Sequence, residues 1–323
     1  MKLKFYIVIF LSIYLFSCNE NKTNKKSTDN KLSGNLIIFH AGSFSFPIKL
    51  LKEEFETRNT GVTILSESAG SVASIRKITD LNKDCDILIS ADYYTIDDMM
   101  IPNYADFNIK FATNEIVIAY NDKSKYSNKI NSDNWIDLLL KKDVIFGRSD
   151  PDADPCGYRT VLMWKLAEKF YNNPNIEQQF IKKNTEFIRP KEVDLIPLIE
   201  TNAIDYLFQY KSVAIQHKLK YISLSEDINL ASEYKAELYK TVSIKIRGTK
   251  KGEKITITGM PMVYGATIVN KSINQKAAIA FLEFMLSDEG KKIIEKSGQK
   301  TVVTSQSNTY EKIPNVLKKF ATK

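Results

Sequence analysis

From Leu36 onward, short apolar runs of strand length alternate with longer runs whose apolar residues recur at helical spacing. The strand-like runs are Leu36–Phe39, Val62–Leu65, Asp86–Ile89, Glu115–Tyr120, Val144–Gly147 and Tyr206–Phe208. Between them lie helical patterns at Phe46–Thr57, Ser71–Leu81, Trp135–Leu140, Tyr158–Tyr171 and Val193–Glu200, and Ala277–Leu286 and Gly290–Lys296 follow later. Pro47 stands in a first helical turn, where its missing N–H costs nothing. Val242–Ile246 and Lys254–Ile257 read as strands of a later connection. Such alternation predicts an α/β protein with mixed, mainly parallel sheets and helices on both faces. A body of roughly 290 residues is large for one core and comfortable for two lobes with a cleft between them. The expected division is lobe 1 at 34–112 plus 265–310, lobe 2 at 113–264 and a frayed C-terminal tail at 311–323. Crossings between lobes are expected near Ala112–Asn114 and Val263–Ala266.

The first residues read as a targeting segment. Lys2 and Lys4 precede the apolar run Phe5–Phe16, which is too short to span a bilayer and ends in Leu15-Phe16-Ser17-Cys18. This resembles a bacterial lipoprotein signal, with residues 1–18 as signal and Cys18 as the lipidated residue. Residues 19–33 are almost wholly polar and read as a flexible tether. The predicted location is therefore extracytoplasmic, anchored to the membrane through Cys18. Cys85 and Cys156, the remaining cysteines, are expected as buried free thiols. Residues 1–31 carry half of the formal charge of +8, and the rest of the chain intersperses both signs. That pattern is a solvated surface and excludes a nucleic-acid footprint.

Four places in the sequence point to one small site. Ser43 in AGSFSFP, Ser71 in SAGSVASIRK, Asp154 in DADPCGYRT and Glu192 in RPKEVDLIPLIE each stand at a strand-to-helix turn or a helix start. Helix N-termini offer unpaired N–H groups and a positive dipole end, so they bind an oxyanion without lysine or arginine. Other readings stay open for each residue. Asp154 before Pro155 is also a good N-cap, Glu192 suits any first helical turn, and Ser43 and Ser71 suit turns. Arg189 could neutralise Glu192 or Asp194, Tyr264 could pack at a hinge, and His40 and His217 read as structural.

With these motifs in hand, the sequence resembles the archaeal-type molybdate- and tungstate-binding lipoproteins of ABC importers. The residues that carry the resemblance are His40-Ala41-Gly42-Ser43, Ser68-Ala69-Gly70-Ser71-Val72-Ala73, Asp154-Pro155-Cys156-Gly157-Tyr158-Arg159, Arg189 to Leu195, Ile204-Asp205-Tyr206 with Tyr210 to Ala214, and Val263-Tyr264-Gly265. They occur in order from about residue 35 to about residue 300. The resemblance implies a type II periplasmic-binding-protein fold that closes on its ligand. It implies that Ser43, Ser71, the backbone at Cys156 and Tyr210 bind the oxyanion. It implies that Asp154 and Glu192 approach the metal atom and raise its coordination from four to six. Ala153 replaces a second acid that family members often carry, and the stretch between Tyr171 and Arg189 is shorter than usual. An ABC permease is the implied partner, no cofactor is expected, and the protein should act as a monomer.

The acids bear on the choice of ligand. Two like charges ~4 Å apart repel by about 4 kcal/mol at an effective dielectric of 20. Carboxylates beside a dianion are tolerable where its central atom accepts them as ligands, and a large d⁰ metal does so. Rival readings are a binding protein for sulfate, phosphate or ferric ion, and a secreted hydrolase or transferase. Ferric binding would want several tyrosines or carboxylates converging, and the adjacent Tyr93-Tyr94 is the candidate pair for it. No G-x-S-x-G elbow, P-loop, H-E-x-x-H or C-x-x-C spacing occurs, and two histidines leave few partners for a nucleophile.

Overall fold

Two sheets are laid down in turn, and the chain passes between them at one edge of a cleft. The computed structural model describes residues 31–248 and 252–323; the signal, Cys18 and most of the tether lie outside the described residues. Lobe 1 begins with β1 (Gly34–Ala41), α1 (Ser45–Arg58), β2 (Val62–Ala69), α2 (Ser71–Thr79), β3 (Ile87–Ser90), α3 (Tyr93–Met99) and β4 (Ile109–Thr113). After Asn114 and Glu115 the chain enters lobe 2 through β5 (Ile116–Tyr120), α4 (Trp135–Leu139), β6 (Phe146–Ser149), α5 (Pro155–Phe170), β7 (Ile188–Arg189), β8 (Tyr206–Tyr210) and β9 (Lys220–Ser223). A hairpin of β10 (Ser243–Arg247) and β11 (Lys254–Thr258) follows, and β12 (Val263–Ile268) returns to lobe 1. β13 (Lys300–Thr301) completes the first sheet, in the order β13-β4-β12-β3-β1-β2, and the second runs β7-β6-β8-β5-β9. Among the described residues, no helix is long and apolar enough to cross a membrane.

Both sheets are mixed, but parallel pairing does not predominate as expected. β1 pairs in parallel with β2 and β3, whereas β12 is antiparallel to both neighbours and β13 is antiparallel to β4. In lobe 2, β6 is parallel to β7 and β8, and β5 is antiparallel to β8 and β9. The crossing explains this. β4 leaves lobe 1 where β12 enters it, so two neighbours that share that edge run in opposite directions. Val263–Ala266, expected as a crossing, is accordingly the start of a fully buried central strand; the return lies upstream, where Met262 N–H donates to Leu230 O at 2.8 Å.

Packing follows from sequence spacing. Ile48, Leu51 and Phe55 form one face of α1, and Phe55 meets Phe281 edge-on at 5.3 Å. α5 is buried almost throughout; its Trp164 stacks on Phe180 at 5.1 Å and meets Phe208 edge-on at 5.2 Å. Cys85 and Cys156 are buried free thiols.

The C-terminal residues are not a frayed tail. Asn315–Phe320 forms a 3₁₀ helix, and β15 (Ala321–Thr322) pairs in parallel with β14 (Ser305–Gln306). Leu317 is completely buried, and Lys319 and Lys323 pair with Glu283 and Glu311, each at 2.7 Å. Leu317 and Phe320 stand three residues apart on one face of that helix, and the intervening lysines disguise them. Leu317→Ala should therefore cost ~2–4 kcal/mol in urea unfolding, as for any buried leucine. A loss below about 0.5 kcal/mol, the figure for a surface site, would contradict this packing.

Candidate functional site

Parallel pairing places the turns that matter side by side. β1 and β2 are in register along their length, with Ala41 opposite Ala69, so their carboxyl ends deliver Gly42-Ser43 and Gly70-Ser71 to one spot. β6 and β7 do the same in lobe 2, with Ser149 opposite Arg189, and deliver Asp154 and Glu192. The two pairs of turns face each other across the cleft, at the strand ends where α/β sheets bind ligands.

The lobes are in contact there. A Cβ on Gly42 would lie 2.9 Å from both carboxylate oxygens of Glu192, and one on Gly70 would lie 2.2 Å from the Ala153 carbonyl oxygen. Ala73 N–H donates to that carbonyl at 3.2 Å. At the rim, Lys191 Nζ donates to Ser68 O at 3.3 Å, and Arg76 Nη1 to Asp152 O at 2.9 Å.

Asp154 and Glu192 are fully buried, and neither oxygen of either carboxylate has a hydrogen-bond partner among the described residues. Asp154 occupies the N-cap position of α5 but makes no capping hydrogen bond, so the helix-cap reading fails for its side chain. Burial, and then the neighbouring Glu192, push the Asp154 carboxyl well above the usual range. Burial also raises Glu192, opposed by its own backbone amide, Asp154, and the Ser43 hydroxyl and amide. Both carboxyls are thus pushed toward the neutral form by burial in the closed cleft.

The donors opposite them are set by their neighbours. Asn114 Nδ2 donates to the Tyr264 hydroxyl at 3.1 Å, and Tyr264 donates to Ser43 Oγ at 2.7 Å. With its oxygen accepting from Tyr264, Ser43 keeps its own hydrogen to donate, toward Glu192 or to a guest in the cleft. Ser71 Oγ accepts from Ala91 N–H at 3.0 Å and keeps its hydrogen in the same way. The Cys156 sulfur points to Phe208 O at 3.9 Å, so this residue can offer the cleft only backbone, from the first turn of α5. Tyr210 is fully buried; its hydroxyl accepts from Arg159 Nη1 at 3.5 Å and its ring centroid lies 6.3 Å from that of Tyr264.

Several residues differ from expectation. Arg189 gives its Nη1 to the carbonyls of Glu186 and Ile188 at 3.0 and 2.9 Å, and Asp194 pairs with Lys191 at 3.6 Å. The proposed neutralisation by Arg189 is therefore not made. Tyr264 is tied to Ser43 as well as packed near the crossing. An arginine does stand close by: Arg159 is buried near enough to Asp154 to favour its charged form, and it is paired with Asp92 at 3.2 Å. Gln209 was not anticipated either; its amide donates to Glu192 O at 3.0 Å and accepts from Tyr210 N–H at 2.8 Å, fixing the Glu192 turn. His40 is buried with Nδ1 2.9 Å from Ala41 O, and burial lowers it to about 4, so it is neutral. His217 lies on the surface 3.8 Å from Glu200. Among the described residues, no group of three or more His, Cys, Asp and Glu is placed to hold a metal cation.

Residues 36–300 match the family model described as bacterial extracellular solute-binding protein. The chain is 44% identical to an uncharacterized solute-binding protein of Petrotoga mobilis, with 90% of each chain covered. It is 41% identical to the molybdate/tungstate-binding protein WtpA of Pyrococcus abyssi, over 93% of this chain and 92% of that one. The periplasmic molybdate-binding protein of Azotobacter vinelandii superposes with a TM-score of 0.59 at 15% identity, over 82% of this chain and 98% of that one. The sulfate-binding protein SubI of Mycobacterium tuberculosis gives 0.60 at 12% identity, over 83% and 87%. These likenesses establish the two-lobed, type II periplasmic-binding-protein fold. Since the fold is shared by molybdate and sulfate binders, it does not choose between those anions.

The raised carboxyl groups make a stability prediction. Opening the cleft lets both acids ionise at about pH 4, so the closed state holds more protons above that pH. The closed, ligand-free form should then become less stable relative to the open form as pH rises from about 4 toward the raised range. The fraction closed without ligand, read by small-angle X-ray scattering between about pH 5 and pH 8, should fall for the wild type and stay level for Asp154→Asn with Glu192→Gln. Parallel pH profiles would contradict the assignment.

Proposed function

Given that the chain belongs to the family of bacterial extracellular solute-binding proteins, we propose that it captures molybdate or tungstate between its lobes and delivers it to the permease of an ABC importer. The relatives that carry a named ligand bind those anions. The observation that carries the reading is the pair of buried, unpartnered carboxylates, Asp154 and Glu192, facing the Gly42-Ser43 and Gly70-Ser71 turns.

The chemistry follows from the donors and acceptors present. Ser43, Ser71 and the amides of their turns donate to the oxygens of the anion from lobe 1. The start of α5, including the Cys156 backbone, donates from lobe 2, with Tyr210 beside it. A hydrogen bond to a charged group contributes about 1.5–3 kcal/mol, so five or six such bonds leave on the order of 10 kcal/mol after association costs. That corresponds to micromolar to nanomolar affinity. Asp154 and Glu192 oppose any dianion that offers them nothing. Molybdenum and tungsten offer two further coordination positions for hard oxygen ligands, and the closed shell of sulfur or phosphorus does not. The acids thereby select the metal oxyanions. The same arrangement gives a solute-binding role in place of catalysis.

Proteins of this family act outside the cytoplasmic membrane. We assign the anchor to a lipid at Cys18, with residues 19–33 as the tether and a monomer as the working unit. The acid pair at Asp154 and Glu192 stands against the sulfate and phosphate readings.

A thermal-shift panel tests the proposal. A ligand present at 100 times its Kd stabilises the folded state by about 2.7 kcal/mol. Molybdate and tungstate should raise Tm by several degrees, and sulfate and phosphate at equal concentration should not. Asp154→Ala with Glu192→Ala should erase that preference in isothermal titration. Sulfate bound as tightly as tungstate would end the reading. Closure gives a further check. Gly70 has φ −59° and ψ 139°, which alanine adopts freely. Its Cβ would nevertheless strike Ala153 O in the closed form. Gly70→Ala should weaken binding by roughly 10–100-fold, the overpacking range, with little change in ligand-free Tm.

A further inference from the structure

Asp92 and Arg159 come from opposite lobes. Asp92 follows β3 and caps α3, its carboxylate accepting from Tyr94 N–H at 3.0 Å. Ser90 and Thr95 fix its backbone: Asp92 N–H donates to Ser90 Oγ at 3.0 Å, and both hydroxyls donate to Asp92 O at 2.7 Å. Arg159 stands in the second turn of α5, in lobe 2. Its Nη2 lies 3.2 Å from Asp92 Oδ2, and its Nη1 donates to Ala91 O at 2.7 Å. Tyr158, the preceding residue, donates its hydroxyl to the same Asp92 oxygen. Asp92 is 4% exposed, Arg159 2% and Tyr158 not at all. Among the described residues, this is the one ion pair with both side chains buried; the remaining pairs each leave at least one partner more open to solvent.

We propose that Asp92, Arg159 and Tyr158 form an interlobe clasp, assembled only when the cleft closes, that sets how long the oxyanion stays bound. The argument is one of state dependence. Asp92 is held by its own turn in lobe 1, and Arg159 by its helix in lobe 2, so separating the lobes separates the charges. In the open form both are hydrated and removal of one charge costs little. In the closed form a lone buried guanidinium is left, and breaking a buried pair from one side is expensive. The effect therefore falls on the closed state and on dissociation, and encounter with the open cleft is untouched. Arg159, Tyr158 and Asp92 are positioning residues in this scheme, acting on the lobes and not on the anion.

The inference rests on oxyanion capture as the function, and the test separates the two. Asp92→Asn keeps the Oδ1 that caps α3 and removes the charge. Release of bound molybdate into excess tungstate is followed as molybdenum retained by the protein, and association by stopped-flow protein fluorescence. Asp92→Asn should speed release on the order of 100-fold and leave the association rate within about threefold and the ligand-free Tm essentially unchanged. Tyr158→Phe keeps both charges and removes one hydrogen bond; it should speed release about tenfold, and it serves where Asp92→Asn does not fold. An unchanged release rate in these variants overturns the clasp. So does a loss of Tm in the ligand-free protein equal to that in the bound protein, since the pair would then exist before closure. A wild-type protein that binds neither anion refutes oxyanion capture itself.

Discussion

A carboxylate buried without a partner is the constraint around which this structure is arranged, and Asp154 and Glu192 supply two of them. Each unsatisfied buried group costs about 1–3 kcal/mol, more if charged. Closing the cleft without a guest is therefore costly, and the upward push that burial gives both carboxyls is a sign of that cost. A ligand that bonds to both acids and accepts from the serines removes that cost. Closure then depends on having the correct guest, which is the property a receptor needs if its permease is to distinguish loaded from empty.

The crossing between lobes is wired into this site. Asn114 lies where the chain leaves lobe 1, and its amide donates to Ser212 Oγ of lobe 2 at 2.7 Å and to Tyr264 of lobe 1 at 3.1 Å. Tyr264 passes the interaction to Ser43, whose carbonyl also accepts from Gln299 at 2.9 Å. A change in hinge angle at Asn114 is thus felt at the hydroxyl that faces the anion, through three side chains and without any lysine or arginine.

Much of this was legible in the chain, because local rules govern strand-to-helix turns. The positions of Ser43, Ser71, Asp154 and Glu192 follow from where apolar runs end, and Pro155 marks the start of α5. The partners that complete the site were not legible. Arg159 looks like an ordinary helix residue until α3 of the other lobe meets it. Gln209 sits in a strand whose five residues are all buried, and nothing local says that its amide fixes a turn from a distant segment. β12 was misread because Tyr264-Gly265 interrupts an apolar run. The glycine is needed there, since a Cβ would come within 2.5 Å of Asn108 Oδ1 and 2.9 Å of the Tyr93 Cα. Leu317 was hidden by the lysines around it. In each case long-range contact overrode what a short window of sequence could express.

The choice of neutral donors also follows from the acids. A lysine or a free arginine at the cleft would pair with Asp154 or Glu192 and fill the place of the guest. Amides and hydroxyls cannot neutralise a carboxylate, so they can face one and still wait for an anion. The cations near the cleft are engaged elsewhere: Lys191 by Asp194, Arg159 by Asp92, and Arg76 by the Asp152 carbonyl. Asp92 therefore has a second consequence beyond joining the lobes. By engaging Arg159 it keeps that buried positive charge from pairing with Asp154. The Asp92–Arg159 pair is neutral as a unit, so the cleft relies on amides and hydroxyls for its donors while the arginine is spent on joining the lobes.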